Sequence, residues 1–182
     1  MEMILNFDNA ILDFIQTYMR NGFLDFILPI ITKLGNDGIL WILIAIAFLI
    51  SKKYRASGVK LAIALLLCLI IGNITLKPLI ARIRPFDINT EIELLITKPT
   101  DFSFPSGHTM SSFAAAIVIY NANKRMGIIA LILASLIAFS RLYLYVHFPS
   151  DVLAGLVIGV INSIIAIKCV DYFKKNNRMN IS

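Results

Sequence analysis

Long apolar runs are the feature of this sequence that most restricts how it folds. Several of them reach or approach the ~20 residues that a helix needs to cross a bilayer. Apolar residues make up 58% of the 182 residues and charged residues only 15%, whereas soluble domains carry roughly 45–50% and about 25%. Because the surplus apolar side chains belong in lipid, we expect an all-α integral membrane protein and exclude a soluble enzyme.

The apolar runs predict a bundle of six transmembrane helices that forms one domain over residues 1–182. Residues 4–19 are amphipathic, and we expect this segment to lie on the membrane surface or to lead into the first span. The first span is short and contains Pro29. The six predicted spans cover residues 22–34, 38–50, 58–76, 107–120, 127–145 and 152–173.

The formal net charge of +6 is explained by short basic segments between and after the predicted spans. With six spans, these segments all fall on one side of the membrane, and basic short loops remain in the cytoplasm. We therefore predict a plasma-membrane protein with both termini cytoplasmic, and no nucleic-acid partner, because no basic stretch alternates with aromatic residues. The basic segments contain Lys52, Lys53 and Arg55; Lys124 and Arg125; and Lys174, Lys175 and Arg178.

The predicted outer loop between the third and fourth spans departs from this charge rule. It carries Lys77, Arg82, Arg84 and Lys98, and cations on the disfavoured side indicate an anionic ligand. We interpret Arg82 as a solvated or headgroup-facing charge. The stretch 85–105 is longer than a simple connection needs, so it is either a cover over a site or a plain surface loop.

Three polar clusters interrupt the apolar pattern, all at the predicted outer end of the bundle. Arginine presents a planar fork that suits phosphate oxygens, and lysine adds a point charge. A Pro-Ser-Gly turn before a helix offers a capping hydroxyl, free amides and close backbone approach. Together the clusters predict a phosphate site. They are Lys77 to Arg84-Pro85, Pro105-Ser106-Gly107-His108, and Ser140-Arg141 with His147 and Asp151.

Both histidines of the chain fall within these clusters. Asp151 follows His147 by four residues, a spacing that puts both on one face of a helical turn. A carboxylate bonded to one ring nitrogen leaves the other as a nucleophile, and His108 could protonate a leaving group. The alternatives are a structural His147–Asp151 pair and, for Lys77 and Arg84, membrane-interface anchors.

The three clusters resemble the motifs of the type 2 phosphatidic acid phosphatase family. Its pattern is Lys-x6-Arg-Pro, then Pro-Ser-Gly-His, then Ser-Arg-x5-His-x3-Asp, and this sequence matches every position between residues 77 and 151. The resemblance implies six transmembrane helices and metal-independent phosphate hydrolysis through a phosphohistidine, with no cofactor. It makes His147 the nucleophile, Asp151 its orienting acid and His108 the general acid. It assigns phosphate binding to Lys77, Arg84, Ser106, Gly107 and Arg141.

The substrate is expected to be a lipid phosphate drawn from the membrane. The chain resembles the small bacterial family members that convert undecaprenyl diphosphate to undecaprenyl phosphate. The resemblance implies a bacterial plasma-membrane protein whose active site lies at the outer, extracytoplasmic face of that membrane. The alternatives are a phosphatidylglycerophosphate or phosphatidic acid phosphatase and, in a different class, a non-enzymatic lipid-binding protein. Phosphate release from a lipid phosphate without added metal distinguishes an enzyme from a binding protein.

Overall fold

The computed structural model describes residues 2–179, and within that range every regular element is a helix, without a strand. Residues 1 and 180–182 of the predicted domain, and the Arg178 side chain, lie outside the described residues. Several helices are continued by π-helical or short helical stretches. The helices are α1 (Glu2–Phe14, continued by Ile15–Met19), α2 (Gly22–Lys33), α3 (Ile39–Ile50), α4 (Arg55–Leu67, continued by Cys68–Leu76), α5 (Lys77–Ile80), α6 (Pro85–Ile88), α7 (Gly107–Ala122), α8 (Lys124–Tyr143) and α9 (Pro149–Met179).

Helix α7 forms the centre of the bundle and packs against α4, α8 and α9. Its run Ala114–Ala116 is fully buried, and small side chains let helix backbones approach closely in lipid. The partner face of α9 carries Gly155 and Gly159. A Cβ atom at Gly155 would lie 2.6 Å from the Ser106 carbonyl oxygen, and one at Gly159 would collide with the Met110 carbonyl oxygen. These two glycines bring the start of α9 against the start of α7.

Polar contacts mark the two ends of the bundle. At one end, which we call the motif end, the Ser106 amide donates to the Asp151 carbonyl oxygen at 3.1 Å. At the opposite end, Lys60 Nζ donates to Asn121 Oδ1 at 3.2 Å and pairs with Asp171 at 2.8 Å. The predicted motif clusters therefore gather at one end of the bundle.

The N-terminal helix α1 lies across the motif end. The Asp8 carboxylate accepts a hydrogen bond from the Ser150 amide at 2.8 Å, and Gln16 Nε2 donates to the Tyr143 carbonyl oxygen at 2.9 Å. Asp171, near the end of α9, lies at the opposite end. Within the described residues the chain therefore begins at the motif end, where buried polar contacts hold α1, and ends at the opposite end. The prediction that both termini are cytoplasmic is not confirmed.

Helix α2 also remains close to the motif end instead of running between the two ends. The amide of Asn21, just before α2, donates to the Tyr143 hydroxyl at 3.2 Å, and Thr32 in its last turn accepts from Arg141 Nη1 at 2.7 Å. Its 12 residues extend only ~18 Å at 1.5 Å per residue. The predicted first span, 22–34, is thus too short to cross a bilayer by itself.

The all-helical membrane fold is confirmed, but the count of six spans is not. Within residues 2–179, three helical stretches are long and apolar enough to cross a bilayer, and a fourth is reached if α2 and α3, bent by 42°, form one broken span. Many large apolar side chains on α4, α8 and α9 are exposed, as expected for helices that face lipid chains. The three stretches are Arg55–Ile88, Lys124–Tyr143 and Pro149–Asn176.

Candidate active site

A cavity of about 1200 Å³ opens at the motif end, and most of the predicted site residues line it. Two predicted site residues, Ser106 and Asp151, are fully buried beside the cavity and do not contribute to its lining. The structure therefore brings the three sequence clusters together around one space. The predicted residues in the lining are Lys77, Arg84, Gly107, His108, Arg141 and His147.

The start of α7 follows the sequence prediction. Ser106 is its N-cap residue, and the Ser106 Oγ accepts from the Thr109 amide at 3.5 Å and from the Thr109 hydroxyl at 3.0 Å. Gly107 faces the cavity, and a Cβ atom there would lie 3.1 Å from Asn73 Oδ1. Glycine thus leaves room at the mouth of the helix, where free amides favour an anion.

Arg84 is the most extensively bonded cation of the site and is 3% exposed. Its Nε donates to the Asp101 carbonyl oxygen at 2.8 Å, and its Nη1 donates to the Val146 carbonyl oxygen at 2.5 Å. The same Nη1 lies 3.3 Å from His147 Nε2. Arg84 therefore connects the long loop to the segment that carries His147.

The 3.3 Å contact between Arg84 and His147 indicates the tautomer of the imidazole ring. A guanidinium only donates hydrogen bonds, so Nε2 of His147 is the accepting nitrogen and the neutral ring carries its proton on Nδ1. His147 is buried, and burial, together with the positive charges of Arg84 and Arg141, holds its pKa well below the usual value. The ring is therefore neutral, with the Nε2 lone pair directed toward the cations of the cavity.

The orientation of His147 by Asp151 is less direct than the sequence spacing predicts. Nδ1 of His147 lies 3.7 Å from Asp151 Oδ2, which is too long for a hydrogen bond. The Ser103 hydroxyl donates to Asp151 Oδ2 at 2.6 Å and lies 3.5 Å from His147 Nδ1. Ser103 thus bridges the pair, and sequence reasoning missed it because it stands in the loop outside the recognised motifs.

Arg82 contradicts its interpretation as a solvated charge. Its side chain is 21% exposed and pairs with Asp8 at 2.7 Å and with Asp151 at 2.5 Å. The two carboxylates lie 74 and 69 residues away in the sequence, so no local pattern could reveal the pairing. Arg82 belongs to the support of Asp151 and does not line the cavity.

Arg141 is a buried cation that is only partly satisfied. Its Nη1 donates to Thr32 Oγ1 at 2.7 Å, whereas its Nε is the one buried side-chain nitrogen or oxygen atom without a hydrogen-bond partner among the described residues. Leaving a buried charged donor unpaired is costly. Because Arg141 lines the cavity, an anion bound there is the natural partner.

Asp101, in the loop, is the residue that occupies the remaining cations. Its carboxylate pairs with Lys77 and, at 2.6 Å, with Arg84 Nη2. Partial burial favours the protonated form, but the hydrogen bonds and positive charges of Lys77 and Arg84 outweigh it and lower the pKa of Asp101 to about 2. The loop thereby places an anion on two of the three cations.

His108 lies on the other wall of the cavity, at the first turn of α7. Its Nε2 lies 2.9 Å from Asn36 Oδ1, so the turn between α2 and α3 orients the ring. A Cβ atom at Gly35 would lie 2.7 Å from the ring, which shows how closely that turn approaches. His108 and His147 therefore border one space from different elements.

The cavity continues from these polar residues along apolar faces of two helices. Ile42, Ile46 and Leu49 of α3 line one side, and Leu65 and Leu66 of α4 line the other. A long apolar groove joined to a cationic pocket fits a molecule with a hydrocarbon tail and an anionic head. Among the described residues, no group of three or more His, Cys, Asp and Glu side chains is arranged to hold a metal ion.

Comparisons with known proteins agree with this geometry. An undecaprenyl-diphosphatase from Sulfolobus acidocaldarius is 34% identical over 150 residues, which cover 82% of this chain and 70% of that protein. The crystal structure of Aquifex aeolicus LpxE matches with a TM-score of 0.75 and 30% identity over 91% of this chain and 95% of that one.

A transmembrane phosphatidylglycerolphosphate phosphatase of PAP2 type from Bacillus subtilis matches with a TM-score of 0.76 and 26% identity, over 97% of this chain and 88% of that one. Residues 57–175, which contain all three motif clusters, match the PAP2 superfamily. The chain belongs to the PAP2 superfamily, in the branch of membrane lipid phosphatases.

Proposed function

We propose that this phosphatase removes the terminal phosphate of undecaprenyl diphosphate through a phosphohistidine at His147. The observation that carries the proposal is the meeting of Lys77, Arg84 and Arg141 with both histidines in one cavity that continues as an apolar groove. The similarity to an undecaprenyl-diphosphatase supports the choice of lipid. A phosphatidylglycerophosphate is the second candidate, favoured by the similarity to the Bacillus subtilis structure.

In the proposed reaction, Nε2 of His147 attacks the terminal phosphorus atom, and the bond from phosphorus to the leaving oxygen breaks. The negative charge of the bound substrate favours the protonated form of His108, which then gives its proton to the leaving oxygen. Water then gives a proton to the now neutral His108 and attacks the phosphorus atom; the phosphorus–nitrogen bond breaks, which releases inorganic phosphate and restores the free Nε2 of His147. The cations Lys77, Arg84 and Arg141 stabilise the charge on the transferring group.

Ser106 supports the proposed phosphate cradle from behind, whereas Gly107 forms part of it. The Ser106 hydroxyl is occupied by Thr109, so we assign it to holding the start of α7 in place. Gly107 lines the cavity and presents the helix start to the phosphate oxygens. Asp151 orients His147 with the help of Ser103.

The proposed membrane orientation follows from the charges at the end opposite the motif end. Lys124 and Arg125 begin α8 there, and basic residues prefer the cytoplasmic side. The motif end then faces outward, and the lipid enters sideways along the groove between α3 and α4. The loop residues Leu94, Leu95 and Ile96 line the cavity and are placed to cover a bound headgroup.

The test is phosphate release by the purified protein in detergent, with chelator present, from undecaprenyl diphosphate, phosphatidylglycerophosphate and phosphatidic acid side by side. We expect the highest kcat/KM on undecaprenyl diphosphate. His147→Ala should abolish turnover, whereas His108→Ala should lose less activity on an activated aryl phosphate than on the lipid. A preference for another lipid would overturn the proposed substrate assignment, and full activity of His147→Ala would overturn the assignment of His147 as the nucleophile.

A further inference from the structure

An ion-pair network behind the nucleophile connects the N-terminal helix to Asp151. Arg82 is its centre: Nη2 donates to Asp8 Oδ2 at 2.7 Å, and Nη1 donates to Asp151 Oδ1 at 2.5 Å. Its guanidinium also lies over the Phe148 ring, 4.0 Å from the centroid. One planar cation therefore holds two carboxylates and the segment next to His147.

Asp8 is buried to a degree that isolated carboxylates do not tolerate. It is 0% exposed and, besides Arg82, accepts from the Ser150 amide at 2.8 Å and from the Ser150 hydroxyl at 2.5 Å. Removing an ion from water is costly unless its geometry and hydrogen bonds are good. Asp8 meets that condition only because α1 lies across the motif end, so α1 is fixed relative to the start of α9.

The same network holds both carboxylate oxygens of Asp151. Oδ1 is held by Arg82, and Oδ2 accepts from the Ser103 hydroxyl at 2.6 Å and from the Phe148 amide at 2.9 Å. Both Oδ2 donors lie on the His147 side, so the carboxylate cannot rotate without breaking bonds on both oxygens. Arg82 and Asp8 do not line the cavity, so they touch neither the phosphate nor the apolar groove.

We infer that Arg82, anchored by Asp8 of α1, is a positioning residue that fixes Asp151 and thereby the His147 tautomer. The inference rests on the proposed role of His147 as nucleophile. Arg82 sets the direction of the Asp151 carboxylate, Ser103 and Asp151 then retain the proton on Nδ1, and Nε2 remains the attacking atom. The N-terminal helix is thus a part of the catalytic support and not only a membrane-surface segment.

The kinetic test compares Asp8→Asn and Arg82→Gln with matched controls in the purified full chain. Asp13→Asn makes the same change at an exposed position of α1, and Arg125→Gln does so at the opposite end. We expect Asp8→Asn and Arg82→Gln to lower kcat by about 10-fold or more, as removal of groups that orient a functional histidine does. KM should stay within about 2-fold, because neither residue touches substrate.

A double variant separates positioning from a general loss of structure. Because both residues act through Asp151, Asp8→Asn combined with Arg82→Gln should be no worse than the more severe single variant, whereas unrelated losses would multiply. A raised KM at unchanged kcat, multiplicative losses, or unchanged kinetics would overturn the inference. If Arg82→Gln does not fold, the comparison of kcat between Asp8→Asn and Asp13→Asn still tests the inference.

A second measurement does not depend on activity and so separates this inference from the proposed function. The chain has only two histidines, so nitrogen-15 labelling of histidine gives few NMR signals, assigned with His108→Ala. Wild type and Asp13→Asn should show His147 with its proton on Nδ1. Asp8→Asn and Arg82→Gln should show a tautomer mixture. An unchanged Nδ1 tautomer in both variants would overturn the inference even if the lipid substrate were right.

Discussion

Replacing Asp101 by Asn should strengthen phosphate binding, because Asp101 competes with the substrate for two cations. Its carboxylate pairs with Lys77 and, at 2.6 Å, with Arg84 Nη2. A phosphate that enters the cavity must displace this carboxylate from both. Asn has the same shape and keeps an oxygen for Arg84, so the substitution removes the charge and little else.

The size of the effect follows from the exposure of the pair. The Asp101 side chain is 54% exposed, so solvent screens both ion pairs, and each is worth about 0.2–1 kcal/mol. Two such pairs sum to about 1 kcal/mol, which corresponds to about a 5-fold change in a binding constant. Because the pKa of Asp101 is about 2, its carboxylate stays ionised between about pH 5 and 8.

The assay is competitive inhibition by inorganic phosphate, the product, measured together with KM for the lipid. We expect the inhibition constant of Asp101→Asn to fall about 5-fold at low salt and the difference to shrink as ionic strength rises. Asp87→Asn, an exposed carboxylate at the start of the same loop, is the matched control. An inhibition constant that stays the same or rises in Asp101→Asn would refute the competition.

Three further predictions test the site, the packing and the orientation. Labelled-histidine NMR should show His147 still neutral below about pH 6.5, the pKa of a free imidazole, because burial holds the His147 pKa well below that value; titration near pH 6.5 would contradict the burial argument. As the pH falls below about 6.5, the unfolded chain takes up a proton that the folded ring does not, so stability should decrease. Gly159→Val should lower the melting temperature in detergent, because the added carbons would collide with the Met110 carbonyl oxygen. Val157→Ala, on the exposed face of α9, should change the melting temperature little. Equal effects of the two substitutions would contradict the close contact between α7 and α9. In a variant with Cys169→Ser, a cysteine at Asn89 should react with an impermeant thiol reagent in intact cells and one at Asn123 only after lysis, and the reverse pattern would invert the orientation.

The membrane class and the chemistry of the site could be predicted from the sequence because both depend on residue type and local spacing. Apolar runs have no stable place in water, and the cations among them need an anion. The start of α7 at Gly107 was predicted because capping is a local interaction between Ser106 and Thr109. Lys77, Arg84, Arg141 and the two histidines indeed line one cavity.

The positions of α1 and α2 in the bundle could not be predicted from the sequence, because hydropathy does not report the direction in which a helix runs. Helix α2 is as apolar as a span, yet polar contacts at both of its ends hold it near the motif end. Helix α1 is amphipathic as predicted, but the position of its buried Asp8 decides on which end of the bundle it lies. Counting basic residues in the loops cannot detect a helix that does not cross the membrane by itself.

The sequence by itself determined that this chain enters a membrane and which cations and histidines make up its candidate phosphate site, because each of these is written in residue types a few positions apart. Only the tertiary structure decided what surrounds them. Arg82 pairs with Asp8, Ser103 lies between Asp151 and His147, and Asp101 covers Lys77 and Arg84. The Arg82–Asp8 partners are 74 residues apart, and a charge finds its partner by proximity in space, which only the packed helices establish.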